Sequence, residues 1–153
     1  IQQGAERLRL FCIQAGRKDA SKPYEGLGPM DRVLCDVPCS GYGVIRRKPE
    51  IRYKPLATVR ELPRLQYAIL ENGAALVKPG GLLLYATCTL NPAENGAVAS
   101  RFLQEHPEFE PAPFRLPGVT RLVEEPPHTI TLLPVNGGSD GFYAARFRRK
   151  GDL

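Results

Sequence analysis

The sequence predicts an α/β domain with a mostly parallel sheet and an antiparallel end. Three observations carry this prediction. Apolar runs that read as strands alternate with helically spaced stretches in the order β, β, α, β, α, β, β. Two of those runs stop abruptly in loops that hold a cysteine beside Pro, Ser, Thr or Gly. The last two runs flank a glycine-rich segment and so pair as antiparallel neighbours.

Residues 1 to 10 read as the end of an amphipathic helix, and Leu10 to Ala15 as a short strand holding Cys12. The loop after it carries Asp19. Residues 22 to 30 hold two prolines and two glycines and read as irregular connection. A buried strand over 32–36 follows and runs into Asp36-Val37-Pro38-Cys39-Ser40-Gly41-Tyr42-Gly43. Proline has no ladder donor and ends the strand, while glycine allows close backbone approach. Residues 44 to 60 are basic and lack a clean period, which predicts a long functional loop with a short helical turn at most.

Leu62, Leu65, Ile69 and Leu76 recur at helical spacing. They predict a helix over 63–77 with Pro63 in its first turn. Lys78-Pro79-Gly80-Gly81 ends it. A strand over 82–87 opens into Thr87-Cys88-Thr89, stopped by Asn91-Pro92. A second helix is expected over 92–105, with Asn91 as its cap. Residues 107 to 127 are proline-rich and predict no regular element. Strands over 129–133 and 142–147 flank a turn at Gly137 to Gly141.

The 153 residues and 42% apolar content suit one domain with a real core. The chain opens on Ile1 and its single Met is Met30, so we expect a carboxyl-terminal portion of a longer catalytic domain. A net charge of +5 is compatible with a nucleic-acid partner without demanding one. No apolar run approaches the roughly 18 residues of a membrane span. The four cysteines and two histidines have neither zinc-ligand nor C-x-x-C spacing, so no metal is expected, and a reducing cytoplasm is the default compartment.

Cys12 and Cys35 lie inside apolar runs and read as buried, inert residues. Cys39 and Cys88 lie in loops, where backbone N–H groups can lower a thiol pKa. A thiolate adds to an electron-poor double bond, such as carbon-6 of a pyrimidine. The addition makes carbon-5 nucleophilic and able to take a methyl group. An acid at the ring's nitrogen-3, for which Asp36 is available, eases the addition. A second thiol helps the product leave. A disulfide oxidoreductase also uses two thiols, but normally close together in sequence, which makes that reading weaker.

These residues resemble a known family. Asp-Val-Pro-Cys-Ser-Gly (36–41), Lys-Pro-Gly-Gly (78–81), Tyr-Ala-Thr-Cys-Thr (85–89) with Glu94-Asn95, and Asp-Gly-Phe-Tyr-Ala (140–144) look like the RNA 5-methylcytosine methyltransferases. They are most similar to the bacterial 16S ribosomal RNA cytosine-C5 group (the RsmB, Sun or Fmu type). The resemblance implies a Rossmann-like class I fold and S-adenosyl-L-methionine as methyl donor, with 16S ribosomal RNA as partner. It assigns Cys88 as nucleophile, Cys39 to product release, Asp36 to the junction of base and cofactor, and Asp19 to the adenosine. Gln66 and Asn95 match family positions and take support roles. Arg46, Arg47 and Lys48 are expected to contact RNA phosphate. Thr89 stands where Ser is commoner, and Val37 where Ala is commoner. The family's glycine-rich cofactor loop precedes the matching region, so residues 1–153 alone are expected to be inactive. Transfer RNA as substrate, or a non-catalytic RNA-binding module on the same fold, are the alternatives.

Overall fold

The computed structural model describes residues 1–118, 124–135 and 139–151. Among the described residues there are three α-helices, α1 (Gln2–Arg7), α2 (Leu56–Ala75) and α3 (Gly96–Glu105), with a 3-10 helix over Pro49–Tyr53. The strands are β1 (Met30–Asp36), β2 (Val77–Thr87), β3 (Phe109–Pro111), β4 (Thr129–Leu132) and β5 (Phe142–Arg149). The sheet runs β1-β2-β5-β3, with β4 also paired to β5.

β1 and β2 are parallel, and α2 makes the crossover between them. β5 lies antiparallel to β2 along one edge. Its other edge takes β4 and then β3, both antiparallel. The expected antiparallel end, with β4 beside β5, is therefore present. Gly137 and Gly138 of the expected turn lie outside the described residues.

The core occupies one face of the sheet. Cys35, Leu83, Tyr85, Tyr143, Ala145 and Phe147 point to it and pack on Tyr67, Leu70, Ala74, Val98 and Phe102 of α2 and α3. Side chains alternate along a strand, so Leu34, Leu82, Leu84 and Arg146 share the opposite face. Leu34 is 62% exposed there.

Several boundaries differ from expectation for identifiable reasons. The expected strand at residues 10–15 is absent, and Cys12 is exposed rather than buried. A strand exists only when its N–H and C=O groups find a ladder, and no described strand pairs with this segment. Helix α2 begins at Leu56, which leaves Pro63 inside it rather than in its first turn. A proline in a helix interior costs about 3 kcal/mol. Here burial of Val59, one turn before it, keeps the amino-terminal half in place.

β2 begins at Val77, five residues early. Lys78 to Gly81 fit because the pairing with β1 shifts there, from Met30 opposite Val77 to Arg32 opposite Leu82. The irregularity absorbs a proline that cannot join a ladder. Asn91 does not cap α3. Its Oδ1 accepts from the Ala93 N–H and so caps the turn over 92–95, and α3 starts at Gly96. β3 is three residues long, too short for any pattern to announce.

Candidate active site

The two cysteine loops leave the sheet side by side. Asp36 at the end of β1 sits opposite Ala86 of the parallel β2, so the chain beyond each strand emerges at the same sheet edge. That is the carboxyl end of the strands, where open α/β sheets bind ligands. The Val37 N–H still reaches the Ala86 carbonyl (3.2 Å), and the ladder ends there.

Backbone bonds lock the loops together. The Gly43 N–H donates to the Cys88 carbonyl (3.1 Å), and the Gly141 N–H donates to the Gly43 carbonyl (2.8 Å). A Cβ at Gly43 would collide with the Gly141 carbonyl oxygen, so only glycine fits. Gly41 has φ of +80°, a left-handed turn that glycine adopts without strain. The Ser40 and Thr89 hydroxyls meet at 2.6 Å, both fully buried. Asn95 holds the second loop at two points. It accepts from Thr87 Oγ1 (2.7 Å) and donates to the Thr89 carbonyl (2.9 Å).

The outcome is a contact between Cys39 Sγ and Cys88 Sγ at 3.2 Å, across 49 positions of sequence. Both residues are half-buried and both are free thiols. Burial first, and then the neighbouring Cys88 sulfur, push the Cys39 thiol up to about 12. Cys39 therefore keeps its proton at neutral pH and has a sulfur beside it to receive a hydrogen bond. Cys35, facing α2, is raised to about 11 by burial alone. It fits the inert role that the sequence suggests.

Asp36 is exposed and has no hydrogen-bond or ion-pair partner among the described residues. Its carboxylate is open to a ligand at the strand end. Asp19 stands in an exposed segment, where its Oδ1 accepts from the Ser21 N–H (3.0 Å) and hydroxyl (2.6 Å). Those two bonds hold its carboxyl below the usual carboxylate range. The Ala20 carbonyl accepts from Asn72 Nδ2 (3.1 Å), which ties this segment to α2. The other Asp19 oxygen, Oδ2, lies 3.9 Å from Lys22 Nζ.

The basic loop divides into different uses. Arg46, Arg47 and Lys48 are all exposed. Arg47 Nε donates to Asp140 Oδ2 at 2.8 Å, and the Asp140 side chain is only 7% exposed. Lys54 Nζ donates to the Ser40 carbonyl (2.8 Å), next to Cys39. Two of the loop's cations thus brace the site. Asp140 stands in the Asp-Gly-Phe-Tyr-Ala motif of the sequence but received no role from it. The signal for it was that motif, and its pairing with Arg47 is a contact across the chain that no local pattern reports. No group of three or more His, Cys, Asp or Glu among the described residues could hold a metal ion. No helix among them is long and apolar enough to cross a membrane.

Comparison with known proteins places this geometry. A Bacillus subtilis protein named probable ribosomal RNA small subunit methyltransferase B is 44% identical over 159 residues, covering 99% of this chain and 35% of its own. A Drosophila melanogaster tRNA (cytosine(34)-C(5))-methyltransferase is 39% identical over 112 residues, covering 66% of this chain and 15% of its own. The solved structure of PH0851 superposes with a TM-score of 0.86 at 34% identity, covering 97% of this chain and 33% of that one. That of NSun6 from Pyrococcus horikoshii with SFG gives a TM-score of 0.83 at 22% identity, covering 99% and 38%. The chain spans about a third of the length of the first of these relatives. The profile of the 16S rRNA methyltransferase RsmB/F family matches residues 1–148, and the chain belongs to that family.

Proposed function

We propose that this chain carries the thiol pair and acid of an S-adenosyl-L-methionine-dependent enzyme that methylates carbon-5 of a cytosine in ribosomal RNA through a covalent cysteine adduct. The 3.2 Å separation of Cys39 and Cys88 carries this reading. Two thiols that close can address the same face of one planar base, one bonding to carbon-6 and the other handling a proton.

The steps follow from the residues. The target cytosine leaves its stack to reach the recessed sulfurs. Cys88 adds to carbon-6, and the ring's electron pair moves to carbon-5. Asp36 in its acid form assists by donating a hydrogen bond to nitrogen-3 of the base, which gains electron density as the thiol adds. When bound, S-adenosyl-L-methionine supplies an electrophilic methyl group at that point. Carbon-5 then gives its proton to the Cys39 thiolate, the electrons return to the ring, the carbon–sulfur bond breaks and Cys88 leaves as a thiolate.

Cys39 changes character along this path. Part of what holds its proton is the Cys88 sulfur. Once Cys88 is bonded to carbon, its sulfur is a thioether and accepts poorly. Burial, the larger cause of the raised Cys39 pKa, persists, so Cys39 acts as acceptor only after its own proton has passed to water. On this reading the exposed Arg46 and Lys48 of the adjoining loop contact RNA phosphate.

The adenosine site is only partly supplied by Asp19 and Asp36. Among the described residues no glycine-rich strand-to-helix loop cradles a cofactor. We infer that residues 1–153 alone bind S-adenosyl-L-methionine weakly and do not turn over. Calorimetry on this chain tests that, and tight binding would overturn it. The substrate is tested by mapping 5-methylcytosine in RNA from cells lacking the gene. Loss of a single site in small-subunit ribosomal RNA is the expected result. Loss from transfer RNA instead would favour the substrate named for the fly relative.

A further inference from the structure

Glu94 has a fully buried side chain, and no cation pairs with it among the described residues. Its Oε2 accepts from the Ser40 backbone N–H (2.8 Å) and from Gln66 Nε2 (2.8 Å). Its Oε1 accepts from Asn91 Nδ2 (2.8 Å). Its backbone carbonyl accepts from the Tyr85 hydroxyl. Gln66 Nε2 also donates to the Pro38 carbonyl (2.9 Å).

These contacts share a geometry. Ser40 directly follows Cys39, and Pro38 directly precedes it. Asn91 lies three positions beyond Cys88. Gln66 belongs to α2, and Tyr85 to β2. The Glu94 carboxylate thus ties both cysteine loops to each other and to α2, and its backbone carbonyl adds a tie to β2. In all three side-chain bonds the carboxylate accepts, and both loops present only N–H donors to it.

Stability alone does not account for this choice. Taking a carboxylate out of water costs several kcal/mol, and well-packed apolar residues usually serve stability as well or better. What an acceptor at this place does is fix two donors on separate loops at set distances from one centre. The Ser40–Thr89 hydroxyl contact fixes a second point. Two such points between the loops leave little freedom for one to slide along the other.

We propose that Glu94 is a positioning residue that sets the distance between the Cys39 and Cys88 sulfurs. It touches neither base nor methyl donor and acts through Ser40, Gln66 and Asn91. The catalytic half of this statement rests on the two-thiol reading above, whereas the geometric half does not.

The geometric half is tested on the full-length protein by its thiol–disulfide equilibrium. In a glutathione buffer the two thiols join while oxidised glutathione takes their two electrons and two protons and leaves as two reduced molecules. The equilibrium constant measures how well the fold holds the sulfurs together. Peptide mass mapping quantifies the Cys39–Cys88 bond. Glu94→Gln turns one acceptor into a donor facing donors, and should lower that constant at least tenfold. Asn91→Ala removes one tie and should lower it several-fold, and it serves if Glu94→Gln does not fold. Glu94→Asp keeps the charge and should recover part of the loss.

In methylation assays Glu94→Gln should reduce kcat, with KM for RNA unchanged. A folded Glu94→Gln or Asn91→Ala protein with the wild-type constant overturns the proposal. A lowered constant with unimpaired methylation upholds the positioning role, and sinks the two-thiol mechanism instead.

Discussion

The Cys39 and Cys88 sulfurs touch at 3.2 Å, although each closes a different strand and 49 positions separate them. The parallel register of β1 and β2 produces this contact, because Asp36 lies opposite Ala86 and both chains turn off the sheet at one edge. One sulfur is therefore always within reach of whatever the other binds.

That contact predicts an asymmetric trapping experiment. In the full-length enzyme, Cys39→Ala should accumulate a covalent protein–RNA complex on denaturing gels, since attack proceeds and release stalls. Cys88→Ala should give none. If neither variant traps RNA under conditions where the wild type transfers methyl groups, the covalent route is wrong.

The buried thiols predict a loss of stability at high pH. Folded Cys39 and Cys35 titrate near 12 and 11, above the ordinary value of 9.0. Below pH 9 both states hold these protons and stability is unaffected. Above it the unfolded chain releases them first, so stability falls as pH rises from 9 through the folded values. Buried Tyr85 and Tyr143 are also raised and add to the fall above about pH 10. Between pH 9 and 10, Cys39→Ala should show a shallower decline in Tm than the wild type. Parallel declines would show that the Cys39 shift is absent.

Arg47 and Lys48 adjoin in sequence but should behave differently. Arg47→Ala leaves the buried Asp140 carboxylate without its cation. Because the Arg47 side chain is 69% exposed, the loss should be modest, about 1–2 kcal/mol. Lys48→Ala should leave Tm unchanged, weaken RNA binding, and reduce the salt slope of log affinity by about one. A Tm for Arg47→Ala equal to wild type would mean that the pair contributes nothing.

Gly43→Ala should destabilise by about 3 kcal/mol, because the new methyl meets the Gly141 carbonyl oxygen, a backbone atom that cannot rotate away. Thermal unfolding measures it. A wild-type Tm would show that the segment around Gly141 gives way freely.

Legibility in the sequence followed the range of the interactions. Strands β1 and β2 were readable because an apolar run bounded by Pro, Gly or Asn is a local signal. The β4–β5 pairing was readable for the same reason. Residues 10–15 have an equally apolar run, yet they form no strand, since a ladder depends on a neighbour that composition does not report. Pro63 marked a helix start by propensity, and packing of Val59 moved that start to Leu56. At the site, Cys39, Cys88 and Asp36 stood out because proline and glycine punctuate their loops. Glu94 and Asp140 stood in the matching motifs without a role, since what an acid in a turn does depends on the donors that the fold places around it.

The sequence by itself determined that two thiols and an acid end two strands of an α/β sheet, and that the chain resembles RNA methyltransferases. Those are properties of short segments, written in residue type and spacing. Only the tertiary structure decided that the sulfurs meet, that Arg47 is bound to Asp140, and that one buried carboxylate joins both loops. Each of these brings together residues far apart in the chain, and the side-by-side exit of β1 and β2 from the sheet fixes their distance.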